Sequence, residues 1–198
     1  SSIRVHFRNI EAGLSTEPLW WGANAKYPLI MSNNAPGMEH FFIGTRGPLK
    51  IPYVGSFEFK YMGGFPEDSQ YYDQEDEFQQ DRFMNAVNFS YSPFFAPNVH
   101  LGITRAVHTY MEQGILQPVD YGLIFDPILV KNFVKTRGPF DQVKPRNHLN
   151  SLYARWVWPE SKMEIYGEFF RDDYAYDSRD LLMEPRHNSG YAFGFQKL

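Results

Sequence analysis

Alternation with a period of two is clearest in residues 53–61, which read YVGSFEFKY. Aromatic rings occupy four of the five odd positions, whereas Ser56, Glu58 and Lys60 occupy even positions. Successive side chains of a β-strand point to opposite faces of the sheet. The segment therefore predicts a strand with one aromatic face and one polar face.

Segments of the same kind recur along the whole chain and predict about eight strands, several of them near the ~9–11 residues that cross a bilayer at a tilt. Helix signals are few, and one short helix is predicted within residues 120–134. The other predicted strands lie in residues 3–7, 39–45, 83–91, 99–108, 152–156, 163–169 and 191–196.

The connections between these strands are of two lengths. Residues 92–98 and 158–161 have the composition of tight turns. Long connections are predicted at residues 13–37, 63–82, 108–150 and 171–190. Alternating short turns and long outward loops are typical of outer-membrane β-barrels. A water-soluble β-sandwich stays open as an alternative, because period alone does not say whether the aromatic face meets lipid or a core.

The composition excludes several classes of protein. The 198 residues include 18 Phe, 13 Tyr and 4 Trp, yet no apolar run approaches the ~20 residues of a membrane-spanning helix. A net charge of −4 argues against a nucleic-acid partner, which requires a concentrated basic surface. The absence of cysteine excludes disulfides and thiolate metal sites. The chain does not begin with Met, and its first residues lack the apolar core of a signal peptide. We therefore expect the natural chain to be longer.

Catalytic and metal-binding patterns are weak. Glu164 and Glu168 share one strand face, but four residues of strand separate them by ~13 Å, whereas glycosidase carboxylates lie ~5–10 Å apart. Glu58 or Asp172 could complete a pair from another element. The six histidines lack the spacing of a zinc site. We therefore expect no catalytic residues, no metal and no cofactor.

Three clusters suit sugar binding, each with a plainer interpretation beside it. Indole faces can stack on sugar rings, and charged groups can hydrogen-bond hydroxyls or uronates. The indoles could instead belong to an interface belt, and the arginine could simply pair with its acidic neighbours. The candidate glycan-binding residues are Trp20 and Trp21, then Arg171, Asp172 and Asp173, and lastly Arg186 and His187.

Several strings together resemble the capsule-assembly Wzi family, in the same order across nearly the whole chain. They are WWG at 20–22, PLIMSNNAPG at 28–37, RFMNA at 82–86, EIYGEFFRDD at 164–173 and PRHNSGYAFGFQK at 185–197. The resemblance implies a large outer-membrane β-barrel with a lumen obstructed by loops. It also implies a non-catalytic role in attaching capsular polysaccharide to the bacterial cell.

On this interpretation residues 1–198 form a single domain that is part of a barrel, with flanking strands outside the chain. The expected location is the bacterial outer membrane. The expected partners are capsular or other surface polysaccharide and outer-membrane lipid, and any envelope protein partner is unnamed. The alternatives are a carbohydrate-active enzyme on a β scaffold, a passive pore, or a scaffold of an envelope complex.

The loop at residues 13–37 is predicted to fold inward as a plug. Its turn-forming residues Asn33, Asn34, Pro36 and Gly37 are interpreted as structural, since Pro fixes φ and Gly supplies a positive φ. Buried loop backbone needs partners, so the two Asn side chains are expected to bond the loop backbone or wall residues such as Glu58 or Arg82. Trp20 and Trp21 are expected to pack on this loop or at its mouth.

Overall fold

The computed structural model describes residues 1–24, 26–34, 36–66, 82–111, 116, 118–125, 146–172 and 188–197. These residues form one antiparallel sheet of ten strands. Nine of the strands pair in the order β1-β2-β3-β5-β6-β7-β8-β9-β10, and β4 pairs with β5 beside that path. The predicted fold class, an all-β antiparallel meander, is confirmed, and the sheet is open in this chain.

The ten strands are β1 Ser2–Phe7, β2 Ile10–Ser15, β3 Glu39–Thr45, β4 Leu49–Ile51, β5 Gly55–Phe65, β6 Arg82–Pro93, β7 Val99–Tyr110, β8 Arg146–Trp158, β9 Met163–Asp172 and β10 Ser189–Lys197. Because consecutive strands run in opposite directions, every short turn lies at one end of the sheet. These turns follow β1, β6 and β8, and the small β4 lies at the same end. The long connections that follow β2, β5, β7 and β9 begin at the other end.

The structure has ten strands where the sequence predicted about eight. The two strands that were not predicted are β2 and β4. Residues 13–15 of β2 fall within the predicted long loop, and Ala12 and Gly13 show little contrast between faces. Gly13 is nevertheless inside β2, where a Cβ would come within 2.1 Å of the Ile3 carbonyl oxygen. Tyr53 lies in the turn before β5 with a φ of 63°, so the strand begins later than predicted.

The two faces of the sheet differ in chemistry, as the alternation predicted. One continuous row of register partners runs through six strands on the apolar face: Phe59, Phe89, Ile103, Leu152, Phe169 and Tyr191. Leu152 is 56% exposed and Phe193 is 81% exposed on this face. Phe57, Phe89, Ile165 and Phe195 share it, so no second layer buries these rings between sheets and the sandwich interpretation is wrong for the described residues.

A 3₁₀ helix, Pro118–Phe125, covers the long-loop end of the apolar face. The Tyr61 hydroxyl donates to the Tyr121 carbonyl oxygen at 2.9 Å, and the Tyr121 ring lies 5.4 Å from that of Phe83. The Asn85 side-chain amide donates to the Asp120 carbonyl oxygen. The helix overlaps the predicted one within 120–134, of which residues 126–134 lie outside the described part. No helix in the described residues is long and apolar enough to cross a membrane.

A polar cleft beneath the loop of residues 16–38

The connection from β2 to β3, residues 16–38, lies against the polar face of the sheet. Trp21, 7% exposed, anchors it in a core with Phe42 of β3, Met62 of β5 and Met84 of β6. The loop also closes on itself, since the Trp21 backbone N–H donates to the Met31 carbonyl oxygen at 3.2 Å. The loop therefore has one fixed position on the wall.

Glu168 of β9 joins the loop to the wall from the far side of the polar face. Its side chain is almost fully buried. The Ser151 hydroxyl donates to Glu168 Oε1 at 2.6 Å, and the Leu29 backbone N–H approaches the same oxygen at 3.4 Å. A carboxylate thus links β8, β9 and a loop residue that is 139 positions away in the chain.

Gly22 is required by this carboxylate. A Cβ at Gly22 would lie 2.8 Å from Glu168 Oε2 and 3.1 Å from the Pro28 Cβ. Its φ of 137° also falls in a region that L side chains rarely adopt. Gly22 therefore allows the Glu168 carboxylate to approach the loop backbone. The two indoles before it differ in burial.

Trp20 has a more open position than Trp21, with 38% of its surface exposed. Its indole Nε1–H donates to the Asn24 carbonyl oxygen at 3.2 Å, which fixes the ring. Asn24 in turn accepts the backbone N–H groups of Lys26 and Tyr27 at 2.9 and 3.1 Å. With its polar atom satisfied inside the loop, Trp20 can offer its ring to a ligand.

Below these loop residues the polar face forms a cleft with a cavity volume of about 490 Å³. The loop supplies its roof and the sheet supplies its wall, mostly from the strand halves nearer the short turns. Its lining, called the cleft residues below, comprises Glu11, Trp20, Trp21, Gly22, Ala23, Thr45, Arg46, Glu58, Phe59, Lys60, Asn88, Ser90, His100, Tyr153 and Arg155.

Hydrogen bonds across neighbouring strands hold the wall of the cleft. The Asn88 amide donates to Thr104 Oγ1 at 2.7 Å and to the Tyr153 hydroxyl at 3.1 Å. The Tyr153 ring has room because its register partner is Gly102, where a Cβ would lie 2.0 Å from Tyr153 Cζ. The wall thus presents amide and phenol groups in fixed orientations.

Two of the three basic residues that line the cleft, Lys60 and Arg155, are neutralised by acids, and the third, Arg46, is exposed. Lys60 Nζ lies 3.2 Å from Glu11 Oε1 on β2. Arg155 Nε donates to Glu164 Oε2 at 3.0 Å. His100 Nδ1 and Ser92 Oγ lie 2.7 Å apart. The cleft therefore offers many hydrogen-bonding groups without a concentrated positive charge.

Of the other predicted glycan residues, the structure describes Arg171 and Asp172, and neither lines this cleft. Arg171 and Asp172 are adjacent in β9 and so point to opposite faces, Arg171 to the apolar face and Asp172 to the polar one. Arg171 is buried at the long-loop end, where its register partners are Asn150 and Ser189. Asp173, Arg186 and His187 lie outside the described residues.

The four loop residues predicted to be structural, Asn33, Asn34, Pro36 and Gly37, have different surroundings. Gly37 allows close approach, since a Cβ there would lie 2.1 Å from the Thr16 carbonyl oxygen, and the positive φ expected of it is not observed. Asn33, Asn34 and Pro36 are exposed. The Asn34 backbone N–H approaches Ser32 Oγ at 3.3 Å. Pairing of the Asn side chains with Glu58 or Arg82 stays a prediction.

The family model of the capsule assembly protein Wzi matches residues 1–197. The chain belongs to the Wzi family. No curated protein and no solved structure matches it. The match spans both the roof and the wall of the cleft.

The sequence predicted the site residues Trp20 and Trp21 in the roof of the cleft, but none of the residues in its wall. Asn88, Lys60 and Arg155 occupy polar positions of alternating strands, and nothing else in the sequence marks them as site residues. Ser90 and Tyr153 carried no signal beyond their place in that alternation. The strand pairing gathers them, because Glu58, Ser90, Gly102 and Tyr153 are successive register partners. Among the described residues, no group of His, Asp and Glu could hold a metal ion.

Proposed function

We propose that this Wzi-family chain forms wall and plug of an outer-membrane β-barrel that anchors surface polysaccharide during capsule assembly, without catalysing a reaction on it. The observation that carries the proposal is the division of the sheet. One face exposes a continuous apolar row, and the opposite face is polar and holds the loop of residues 16–38 over a cleft.

The membrane location is supported by strand length and by the position of aromatic residues. Strands β5 to β9 have 10–13 residues, enough for the ~9–11 that cross a bilayer at a tilt. Exposed rings gather near the short turns, where Tyr53, Phe94, Phe95 and Trp156 form part of an aromatic girdle. In outer-membrane barrels the short turns face the periplasm, so the long loops of this chain would face outward.

A role in holding polysaccharide is supported by the family and by the chemistry of the cleft. An indole ring above amide, hydroxyl and phenol groups suits a sugar, which has apolar C–H faces and polar edges. Catalysis has weaker support. Glu58 and Glu168 are in one register row but four strands apart, or ~19 Å along the sheet at the usual strand spacing. A glycosidase pair needs ~5–10 Å.

Deletion of the gene and complementation with the full-length protein tests this function. Total polysaccharide and its chain length should stay unchanged in the deletion strain, while the fraction that sediments with the cells falls and the fraction in the medium rises. Complementation should restore the cell-bound fraction. Unchanged retention would contradict anchoring, and an altered chain length or linkage would favour the enzyme.

A further inference from the structure

We propose that the cleft is a binding site for a short uncharged saccharide segment that enters from the short-turn side, with the Trp20 ring as its stacking platform. The inference rests on the proposed function. It specifies the site that holds the polysaccharide, the class of sugar that the site binds and the side from which the sugar enters. It separates this site from the outward surface formed by the long loops.

The side of access follows from the position of the lining residues. Glu11, Thr45, Ser90, His100 and Arg155 all belong to strand halves that lie toward the short turns. The roof, residues 20–23, lies between this cleft and the long-loop end of the sheet. Trp21 seals that roof by its core packing with Met62 and Met84. A ligand in the cleft therefore lies beneath the plug.

The class of ligand follows from the lining. The cleft has a volume of about 490 Å³, which is within the ~300–1,000 Å³ range of small-molecule sites. An anionic glycan needs several unneutralised cations, yet Lys60 pairs with Glu11 and Arg155 pairs with Glu164. Among the described residues this leaves Arg46 as the one basic lining residue without an ion pair. Glu58 adds a further carboxylate to the lining. Hydroxyl-rich, uncharged sugar rings match this balance better than uronates do.

The platform is Trp20 rather than Trp21. Trp21 is occupied by core packing, whereas Trp20 is 38% exposed and has its Nε1–H bonded within the loop. Its ring can therefore stack on a sugar without losing a hydrogen bond. Asn88 and Tyr153 lie in the wall of the same cleft. The Asn88 amide already donates to Thr104 and Tyr153, but Asn88 Oδ1 and the Tyr153 hydroxyl oxygen keep lone pairs that can accept hydrogen bonds from sugar hydroxyls.

The test uses the full-length protein, purified from outer membranes, and oligosaccharides of about six sugars cut from the surface polysaccharide of the cells that produce it. Neutral and acidic fragments are titrated separately. Trp20→Ala should weaken binding of the neutral fragment about tenfold, which corresponds to ~1.4 kcal/mol. Tyr27→Ala is the matched control, since this loop ring is exposed but does not line the cleft.

Each result has a distinct meaning. If the unaltered protein binds no fragment, the proposed function itself is wrong. If it binds fragments and Trp20→Ala binds them equally well, polysaccharide is held elsewhere and only this inference falls. Equal losses in Trp20→Ala and Tyr27→Ala would also overturn it, because the loop as a whole would then be responsible. Tighter binding of acidic than of neutral fragments would overturn the assignment of ligand class.

The side of access is tested with one introduced thiol, because the sequence contains no cysteine. Ser90→Cys places a thiol on the cleft wall. A membrane-impermeant maleimide should label it at least tenfold more slowly in intact cells than in cells with a permeabilised outer membrane, and the neutral fragment should slow labelling further. Equal labelling rates in the two preparations would overturn entry from the short-turn side.

Discussion

Replacing Trp21 with alanine should release the loop of residues 16–38 from the polar face while the sheet stays folded. The ring is 7% exposed and packs with Met31 of the loop and with Phe42, Met62 and Met84 of the wall. Truncation of a buried Trp typically costs ~3–5 kcal/mol. The lower figure applies here, because Trp21 borders a polar cleft from which water can enter the vacated space.

This free-energy cost mainly destabilises the seated loop relative to a lifted one. The sheet itself stays folded, because its strands are held by their own backbone hydrogen bonds. A cost of ~3 kcal/mol raises the lifted population by about two powers of ten, since each 1.4 kcal/mol is a factor of ten. The assay is amide hydrogen exchange on the full-length protein in lipid. Exchange at the backbone N–H of residue 21, which bonds Met31, should accelerate by that factor.

The adjacent indole is the matched control for this prediction. Trp20 is 38% exposed and lies outside the buried cluster that anchors the loop. Trp20→Ala should therefore change exchange in the loop by less than tenfold. Equal protection in the Trp21→Ala variant and in the unaltered protein would refute the core-anchor argument. So would acceleration throughout β5 and β6, because it would mean that the substitution unfolds the sheet instead of the loop.

Three further predictions concern the loop and the apolar face. Gly22→Ala should destabilise the seated loop by ~1–3 kcal/mol, because the new residue has a strained φ and its side chain contacts the Glu168 carboxylate. Amide hydrogen exchange in the loop that is no faster than in the unaltered protein would contradict this. Leu152→Arg should destabilise the protein in lipid vesicles by ~1–2 kcal/mol, because Leu152 lies one row inside the outer edge of the apolar face and the cost of Arg falls from the midplane to the interface. Urea unfolding measures the change, and undiminished stability would argue against lipid contact. Asn33→Ala with Asn34→Ala should raise small-solute leakage through the intact protein, whereas a tight barrel with lost glycan retention would make the loop a binding site.

The strands with strong contrast between faces were predictable from the sequence alone. In β5 the rings and charges alternate without interruption, and its partner β6 repeats the pattern, so the facing of Phe59 and Phe89 followed directly. β2 was missed because Ala12 and Gly13 are both small. The limit is physical, since pattern reveals a strand only when its two faces meet different surroundings.

The site was less predictable than the fold, because its geometry depends on contacts between distant parts of the chain. Nothing local distinguishes Trp20 from Trp21, yet one ring is half exposed and the other is in a core. The Glu168 carboxylate meets Leu29 across 139 positions. By contrast, strand alternation alone predicts that Arg171 and Asp172 point to opposite faces of the sheet. The prediction that they form one cluster is therefore wrong.

Burial on the apolar face is the reverse of what water as the surrounding solvent produces. In soluble proteins large apolar side chains are mostly inside and arginine is rarely buried. Here Ile103, Leu152 and Phe169 form a row of register partners, and Leu152 is 56% exposed. The next row toward the long loops contains Arg105 and Arg171, which are 6% and 7% exposed.

One boundary explains both rows. An apolar row is stable when exposed to hydrocarbon, and a charged side chain next to it is stable only where protein or water surrounds it. The change from the Leu152 row to the Arg105 row would then mark the outer edge of the lipid. The cleft lies on the opposite face at the level of the apolar rows, because Tyr153 follows Leu152 and Asn88 precedes Phe89 directly in their strands. If the chain functions in the outer membrane as proposed, the saccharide site is at membrane depth, below the edge where the long loops begin.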